Sequence, residues 1–182
     1  MKATLSIAVL FGTLAVVAPA SAAAPLSARP ATVDAATATP TNPPDDSPAT
    51  ILRNEPPLQC LEVRGASTKP GAVVQVARCT GKKQQMWSYR RGSSIRALGA
   101  NCLTVDGGKT AVGTRVRMQP CNGSVGQKWS RLRAPHHPFV LKNPHSGLCL
   151  SPLNLYPKPG TPVMLDGCDS HTFGRMWSDS FE

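Results

Sequence analysis

The chain writes one pattern three times: a Cys-Leu pair, a glycine, a second cysteine nineteen positions after the first, and then a tryptophan. The copies are Cys60-Leu61, Gly71, Cys79 and Trp87; Cys102-Leu103, Gly113, Cys121 and Trp129; and Cys149-Leu150, Gly160, Cys168 and Trp177. Self-similarity at a period of about 20 to 50 residues marks a protein built from one supersecondary unit that cannot bury its apolar face alone. Three such units must close on one another.

Counted back from the second cysteine, each copy alternates. Five and three positions before it stand Val74 and Val76, Val116 and Met118, Val163 and Leu165, all apolar. Four and two positions before it stand Gln75 and Ala77, Arg117 and Gln119, Met164 and Asp166. A period of two is that of a strand with one buried face. By the same reasoning Leu61, Leu103 and Leu150 point inward, and Glu62, Thr104 and Ser151 outward. The glycine eight positions before the second cysteine suits a hairpin turn that needs positive φ. No helical period of useful length follows the N-terminal segment, so the fold expected is all-β with threefold internal symmetry.

The flanks set the expected compartment. Met1-Lys2, the largely apolar run Ala3 to Val17 and the small-residue trio Ala20-Ser21-Ala22 read as a signal peptide over residues 1–22 and not as a membrane span. Residues 23–49 are rich in Ala, Pro and Thr and carry no aromatic side chain, which predicts a disordered linker. Residues 50–182 make one domain that holds all six cysteines. In an exported chain an even cysteine count points to disulfides. Several connectivities are open, and the repeat selects Cys60–Cys79, Cys102–Cys121 and Cys149–Cys168, because equivalent units should close equivalent loops. No CxxC spacing favours a metal, and neither a metal nor a cofactor is expected.

The segments Gln85-Met86-Trp87 and Gln127-Lys128-Trp129, with Gly174-Arg175-Met176-Trp177 in the third copy, carry a further signal. Together with the cysteine spacing they resemble the QxW repeats of ricin B-type lectin domains, β-trefoils that also serve as carbohydrate-binding modules. The resemblance covers essentially the whole of residues 50–182. It implies a β-trefoil of three four-stranded units, with the tryptophans as core residues and not as sugar platforms.

It also implies where sugars would bind. In that family an aspartate two residues after the first cysteine accepts hydrogen bonds from vicinal hydroxyls, an aromatic residue on the next strand stacks on the sugar, and an amide near QxW completes the site. A sugar offers hydroxyl donors and a patch of C–H surface, so it needs a fixed acceptor and a flat apolar partner. Every copy departs from this pattern. The first has Glu62, Gln75, Gln84 and Gln85 but Ala77 at the stacking position. The second has Thr104, Arg117, Gln119, Gly126 and Gln127, with Asp106 as a substitute acceptor or a turn residue. The third has Ser151, Met164, Asp166, Gly174 and Arg175. The first copy is therefore the expected carbohydrate site, Thr104, Asp106 and Gln127 are weaker candidates, and Tyr156 in the proline-flanked loop is the exposed aromatic best placed to stack.

Charge points elsewhere. The chain carries 20 Lys and Arg against 10 Asp and Glu, and residues 51–135 alone hold 15 basic and 3 acidic groups. Lys82, Lys83, Arg90 and Arg91 are the candidate polyanion-binding residues, with Arg115, Arg117, Arg131 and Arg133 adding to the same field. No groove-reading helix supports specific nucleic-acid recognition. Catalysis finds no motif: there is no GxSxG elbow, His136-His137 lies among prolines, and Asp169-Ser170-His171 are mere sequence neighbours. The expected function is a secreted, non-enzymatic, lectin-like carbohydrate-binding module with partly degenerate sites. The alternative is a trefoil that contacts an anionic polymer or another exported protein through its basic face.

Overall fold

The computed structural model describes residues 48–56, 58–99, 101–133, 138–168 and 175–180. The expected signal peptide and nearly all of the expected linker lie outside these residues, as do His136, His137, Asp169, Ser170 and His171. Twelve strands follow in order: β1 (Thr50–Glu55), β2 (Gln59–Val63), β3 (Ala72–Ala77), β4 (Met86–Arg90), β5 (Ser94–Ala97), β6 (Asn101–Val105), β7 (Val116–Pro120), β8 (Ser130–Arg133), β9 (Phe139–Lys142), β10 (Cys149–Pro152), β11 (Val163–Asp166) and β12 (Met176–Ser180). Each repeat contributes four, as expected. The helical segments described are short 3₁₀ turns.

The first and last strands of each repeat build a closed barrel. β1 pairs with β4 and β12, β4 with β5, β8 with β9, and β9 with β12. Beside β5 and β8 the seam is closed by the Trp129 amide, which donates to the Ser93 carbonyl at 2.8 Å. The middle strands form hairpins β2–β3, β6–β7 and β10–β11 that cap the barrel. This is a β-trefoil.

The repeated glycine stitches one hairpin to the next. Gly71, Gly113 and Gly160 have φ of 81°, 84° and 95°, a conformation that L side chains rarely adopt. Their amides donate to Met118, Leu165 and Val76 of the neighbouring repeat at 2.7, 2.8 and 2.7 Å. The turn therefore closes a cyclic set of three inter-repeat bonds, which no single repeat can satisfy by itself.

Trp87, Trp129 and Trp177 are fully buried in one cluster with Leu61, Leu103 and Leu150. Each indole N–H donates to the carbonyl of its own repeat's leucine, at 2.8, 2.9 and 3.1 Å. The disulfides Cys60–Cys79, Cys102–Cys121 and Cys149–Cys168 form within repeats, each with Cα atoms 5.0 Å apart. By the chain-entropy model each bridge contributes roughly 3 kcal/mol.

Two features depart from simple alternation. Thr104 and Ser151, expected to face outward, are buried, and Glu62 is half-buried. The outer faces of the first and second hairpins are covered in part by the segment that precedes the tryptophan, where the Gln85 amide donates to Glu62 at 2.8 Å and the Gln127 amide to the Thr104 hydroxyl at 3.1 Å. Inside the barrel, the residues two positions after each tryptophan are Tyr89, Arg131 and Asp179, a chemically unmatched trio at one symmetric register. The Arg131 guanidinium binds Asp179 at 2.6 Å and lies 3.9 Å from the Phe139 ring centroid and 5.6 Å from that of Tyr89. Burial pushes the Asp179 carboxyl above the usual carboxylate range, against the lowering effect of Arg131 and Arg133.

Candidate functional site

The polar set expected in the first repeat comes together. β2 presents Glu62 opposite Gln75 on β3 in direct cross-strand register. The Gln75 amide donates to one Glu62 oxygen at 3.0 Å and the Gln85 amide to the other at 2.8 Å. Arg64 in turn donates to Gln75 Oε1 at 2.6 Å, so the whole chain of groups is oriented. A carboxylate has about four lone-pair positions, and two are occupied here. The acceptor is fixed in direction and retains capacity for further donors. Gln84 is half-exposed at the 3₁₀ turn Lys83–Gln85. Ala77 is nearly buried and supplies no platform.

Gln85 also has a structural task. It is fully buried, its Oε1 accepts from the Thr80 amide at 2.7 Å, and its Nε2 reaches the Arg78 carbonyl at 2.8 Å. Gln127 repeats this, accepting from the Asn122 and Gly123 amides at 2.8 and 3.1 Å and donating to the Pro120 carbonyl at 2.9 Å. The glutamine of QxW thus fastens the loop after the second cysteine to the strand before it. In the third repeat Arg175 takes this place and pairs with Asp166 at 2.7 Å, while Asp166 Oδ1 accepts from the Gly167 amide. We expect Gln127→Ala to lower stability by about 1–2 kcal/mol, because it takes their partner from the Asn122 and Gly123 amides and from the Pro120 carbonyl. Thermal melts of the disulfide-intact protein measure this.

The second repeat holds a cleft of about 520 Å³, lined by Thr104, Gly107, Gly108, Gln119, Asn122 and Val125 among others. Its shape has a local cause. Gly107 and Gly108 adopt φ of 61°, and a side chain at Gly126 would crowd the Val105 carbonyl oxygen at 3.1 Å, so glycine there eases the approach of the two turns. Asp106 does not line the cleft and is ion-paired to Arg117 at 2.9 Å. Asn122 and Val125 were not singled out from the sequence. Their signal is position alone, just after the second cysteine.

The remaining candidates are dispersed. Tyr156 is 76% exposed on the β10–β11 loop. That loop is tied to the first repeat: the Gln59 amide donates to the Pro157 carbonyl and Arg64 Nη2 to the Gly160 carbonyl at 3.2 Å. Lys82 and Lys83 are exposed before β4, whereas Arg90 and Arg91 stand at its far end. At about 3.3 Å per residue, the five-residue strand between the two basic pairs spans roughly 17 Å. Among the described residues no cluster of His, Cys, Asp and Glu could hold a metal ion, and no helix is long and apolar enough to cross a membrane.

Solved structures share this architecture. A designed threefold-symmetric protein, ThreeFoil, superposes with TM-score 0.70 at 23% identity, over 74% of this chain and 99% of that one. The agglutinin from Abrus precatorius gives 0.64 at 18% identity, over 78% of this chain and 51% of its own. The C-terminal half of an earthworm R-type lectin, in complex with GalNAc, gives 0.59 at 11% identity, over 74% and 100%. At these identities the likeness establishes the fold. Among curated proteins none matches the chain in sequence. The profile of the Ricin-type beta-trefoil lectin domain matches residues 48–177, most of the chain and all three repeats through the last tryptophan, and so this protein belongs to that family.

Proposed function

We propose that the chain is an exported, non-enzymatic carbohydrate-binding module whose principal neutral-sugar site is centred on Glu62. Family membership supports carbohydrate binding in general. The observation that carries the specific reading is the Glu62 carboxylate, half-buried and held by Gln75 and Gln85 at 3.0 and 2.8 Å with acceptor capacity to spare. An acceptor that is already oriented loses little entropy when a sugar's vicinal hydroxyls bind. Gln84 is the adjacent amide, and Tyr156 is the apolar face for a glycan longer than one residue. The absence of a platform at Ala77 makes the site degenerate and its affinity low. The cleft of about 520 Å³ in the second repeat supports a secondary position, with Thr104, Gln119 and Asn122 as polar partners and Val125 as the apolar one. Three disulfides agree with an oxidising compartment.

A second reading is that anionic polymers bind the basic face, which the charge imbalance of residues 51–135 supports. Salt separates the two. Neutral-sugar contacts release few counterions, whereas polyanion contacts release many and weaken steeply as salt rises. A glycan array holding neutral and acidic glycans, read at low and physiological salt, is expected to show neutral hits that persist. The GalNAc complex of the earthworm lectin makes galactose-type glycans the first probes. Hits on acidic polymers alone, all lost at physiological salt, contradict the neutral-sugar reading.

A further inference from the structure

The three hairpins meet at the pseudo-threefold axis around a second cavity, of about 220 Å³, which belongs to none of the sugar positions described above. Its lining draws equivalent residues from every repeat. Val74, Val116 and Val163, five positions before each second cysteine, are fully buried and give it an apolar wall. The next position out is Val73, Arg115 and Pro162, where symmetry fails. Arg64 and Arg117 complete the lining, and no acidic residue takes part.

The three arginines differ in how they are satisfied. Arg64 is held by the Gln75 side chain at 2.6 Å and the Gly160 carbonyl at 3.2 Å. Arg117 is held by Asp106 at 2.9 Å. Arg115 forms no ion pair among the described residues, and its Nη1 is buried without a hydrogen-bond partner. Three guanidinium groups with no carboxylate among the lining residues suit an anion better than a cation or a neutral ligand. The two pre-oriented arginines beside it make that anion's site, since a guanidinium presents a rigid fork that matches the two oxygens of a carboxylate or sulfate. The valine and proline surfaces suit a compact ligand with an apolar face, the usual composition of a small-molecule pocket with a few placed polar groups.

We propose that this axial cavity is a binding site for a compact oxyanion, carried on an acidic sugar such as a uronate, with Arg115 as its principal ligand and Arg64 and Arg117 as flanking donors. Arg64 also orients Gln75 beside Glu62, but Glu62 itself does not line the cavity, so failure of neutral glycans to bind leaves the proposal untouched. It also differs in kind from a diffuse basic face, because Lys82 and Lys83 take no part in it.

The test is titration with glucuronate, inorganic sulfate and glucose at physiological ionic strength, followed by calorimetry and by the arginine Nε–H resonances. Glucuronate is expected to bind and to shift the Arg115, Arg64 and Arg117 signals, whereas glucose shifts none of them. Arg115→Leu should weaken glucuronate at least about tenfold, in keeping with loss of a charge-assisted bond. Arg115→Lys, which keeps the charge and loses the fork, should recover part of the affinity. Lys82→Ala with Lys83→Ala should change it by less than about twofold, because exposed charges are largely screened. Sulfate binding as tightly as glucuronate would support the oxyanion site and assign recognition to the anion alone. Failure of both anions to bind, or binding that survives Arg115→Leu unchanged, overturns the proposal.

Discussion

Arg131→Met, with Asp179 left in place, is expected to destabilise the domain by about 3–5 kcal/mol near neutral pH. Arg131 binds Asp179 at 2.6 Å inside the barrel, where the two side chains are only 10% and 15% exposed. Removing the guanidinium strands a carboxylate in a site whose burial already raises its pKa. The sign of the pH dependence follows. A carboxyl whose folded pKa lies above its unfolded value keeps its proton in the native state at pH values where the unfolded chain has lost it, so stability falls as pH rises through that window. Without Arg131 to oppose burial the window widens upward, and the variant should recover stability on acidification more than the parent does. The double change Arg131→Met with Asp179→Leu should be neutral or stabilising by roughly 1–4 kcal/mol, since a well-packed apolar pair avoids the desolvation cost. Urea unfolding at several pH values, with disulfides intact, measures all three. A single-variant loss below about 0.5 kcal/mol would mean that the pair behaves as a solvated surface contact.

Trp129→Ala is expected to cost about 3–5 kcal/mol, the range for deleting a large buried aromatic. The ring is fully buried in the shared core, and its N–H is the partner of the Leu103 carbonyl at 2.9 Å. Trp129→Phe should recover most of that loss but not all, because the Leu103 carbonyl then loses its donor, worth about 1–3 kcal/mol. The same two changes at Trp87 should give similar values, as the two indoles are equivalent in burial and in bonding. Urea unfolding of the parent and the four variants tests this, and a difference of more than about 2 kcal/mol between Trp87→Ala and Trp129→Ala would show that the repeats are not energetically alike.

What the sequence made legible was whatever the repeat wrote in triplicate. The register of cysteine, glycine and tryptophan led to the disulfide pairing, the hairpin turns and the shared core, because each needs the same residue type at three equivalent places. Chemistry that breaks the symmetry stayed hidden. Tyr89, Arg131 and Asp179 share one register yet only the folded barrel brings a cation, an acid and two rings together. Alternation alone misplaced Thr104, since it counts one strand and not the Gln127 segment laid over it, and Ser151, which is buried as well. Arg64, Arg115 and Arg117 come from two repeats and gather in one cavity only because three hairpins meet there. For the proposed sugar position, the resemblance singled out Glu62, Gln75 and Gln85, and the structure added how they bind one another.

The most direct test of the carbohydrate reading is the affinity of the parent and of Glu62→Ala for one neutral glycan identified by array, measured by calorimetry at physiological salt. Truncation also releases the Gln75 and Gln85 amides, so a stability loss of about 1–2 kcal/mol accompanies it and the titration belongs well below the melting range. A hydrogen bond to a charged acceptor is worth about 1.5–3 kcal/mol, so the affinity should fall roughly tenfold or more. Thr104→Ala and Ser151→Ala should change it by less than about twofold, since removing one hydroxyl away from the main acceptor costs only a few tenths of a kcal/mol. Equal losses at all three positions, or a glycan that binds Glu62→Ala as tightly as the parent, would contradict the account.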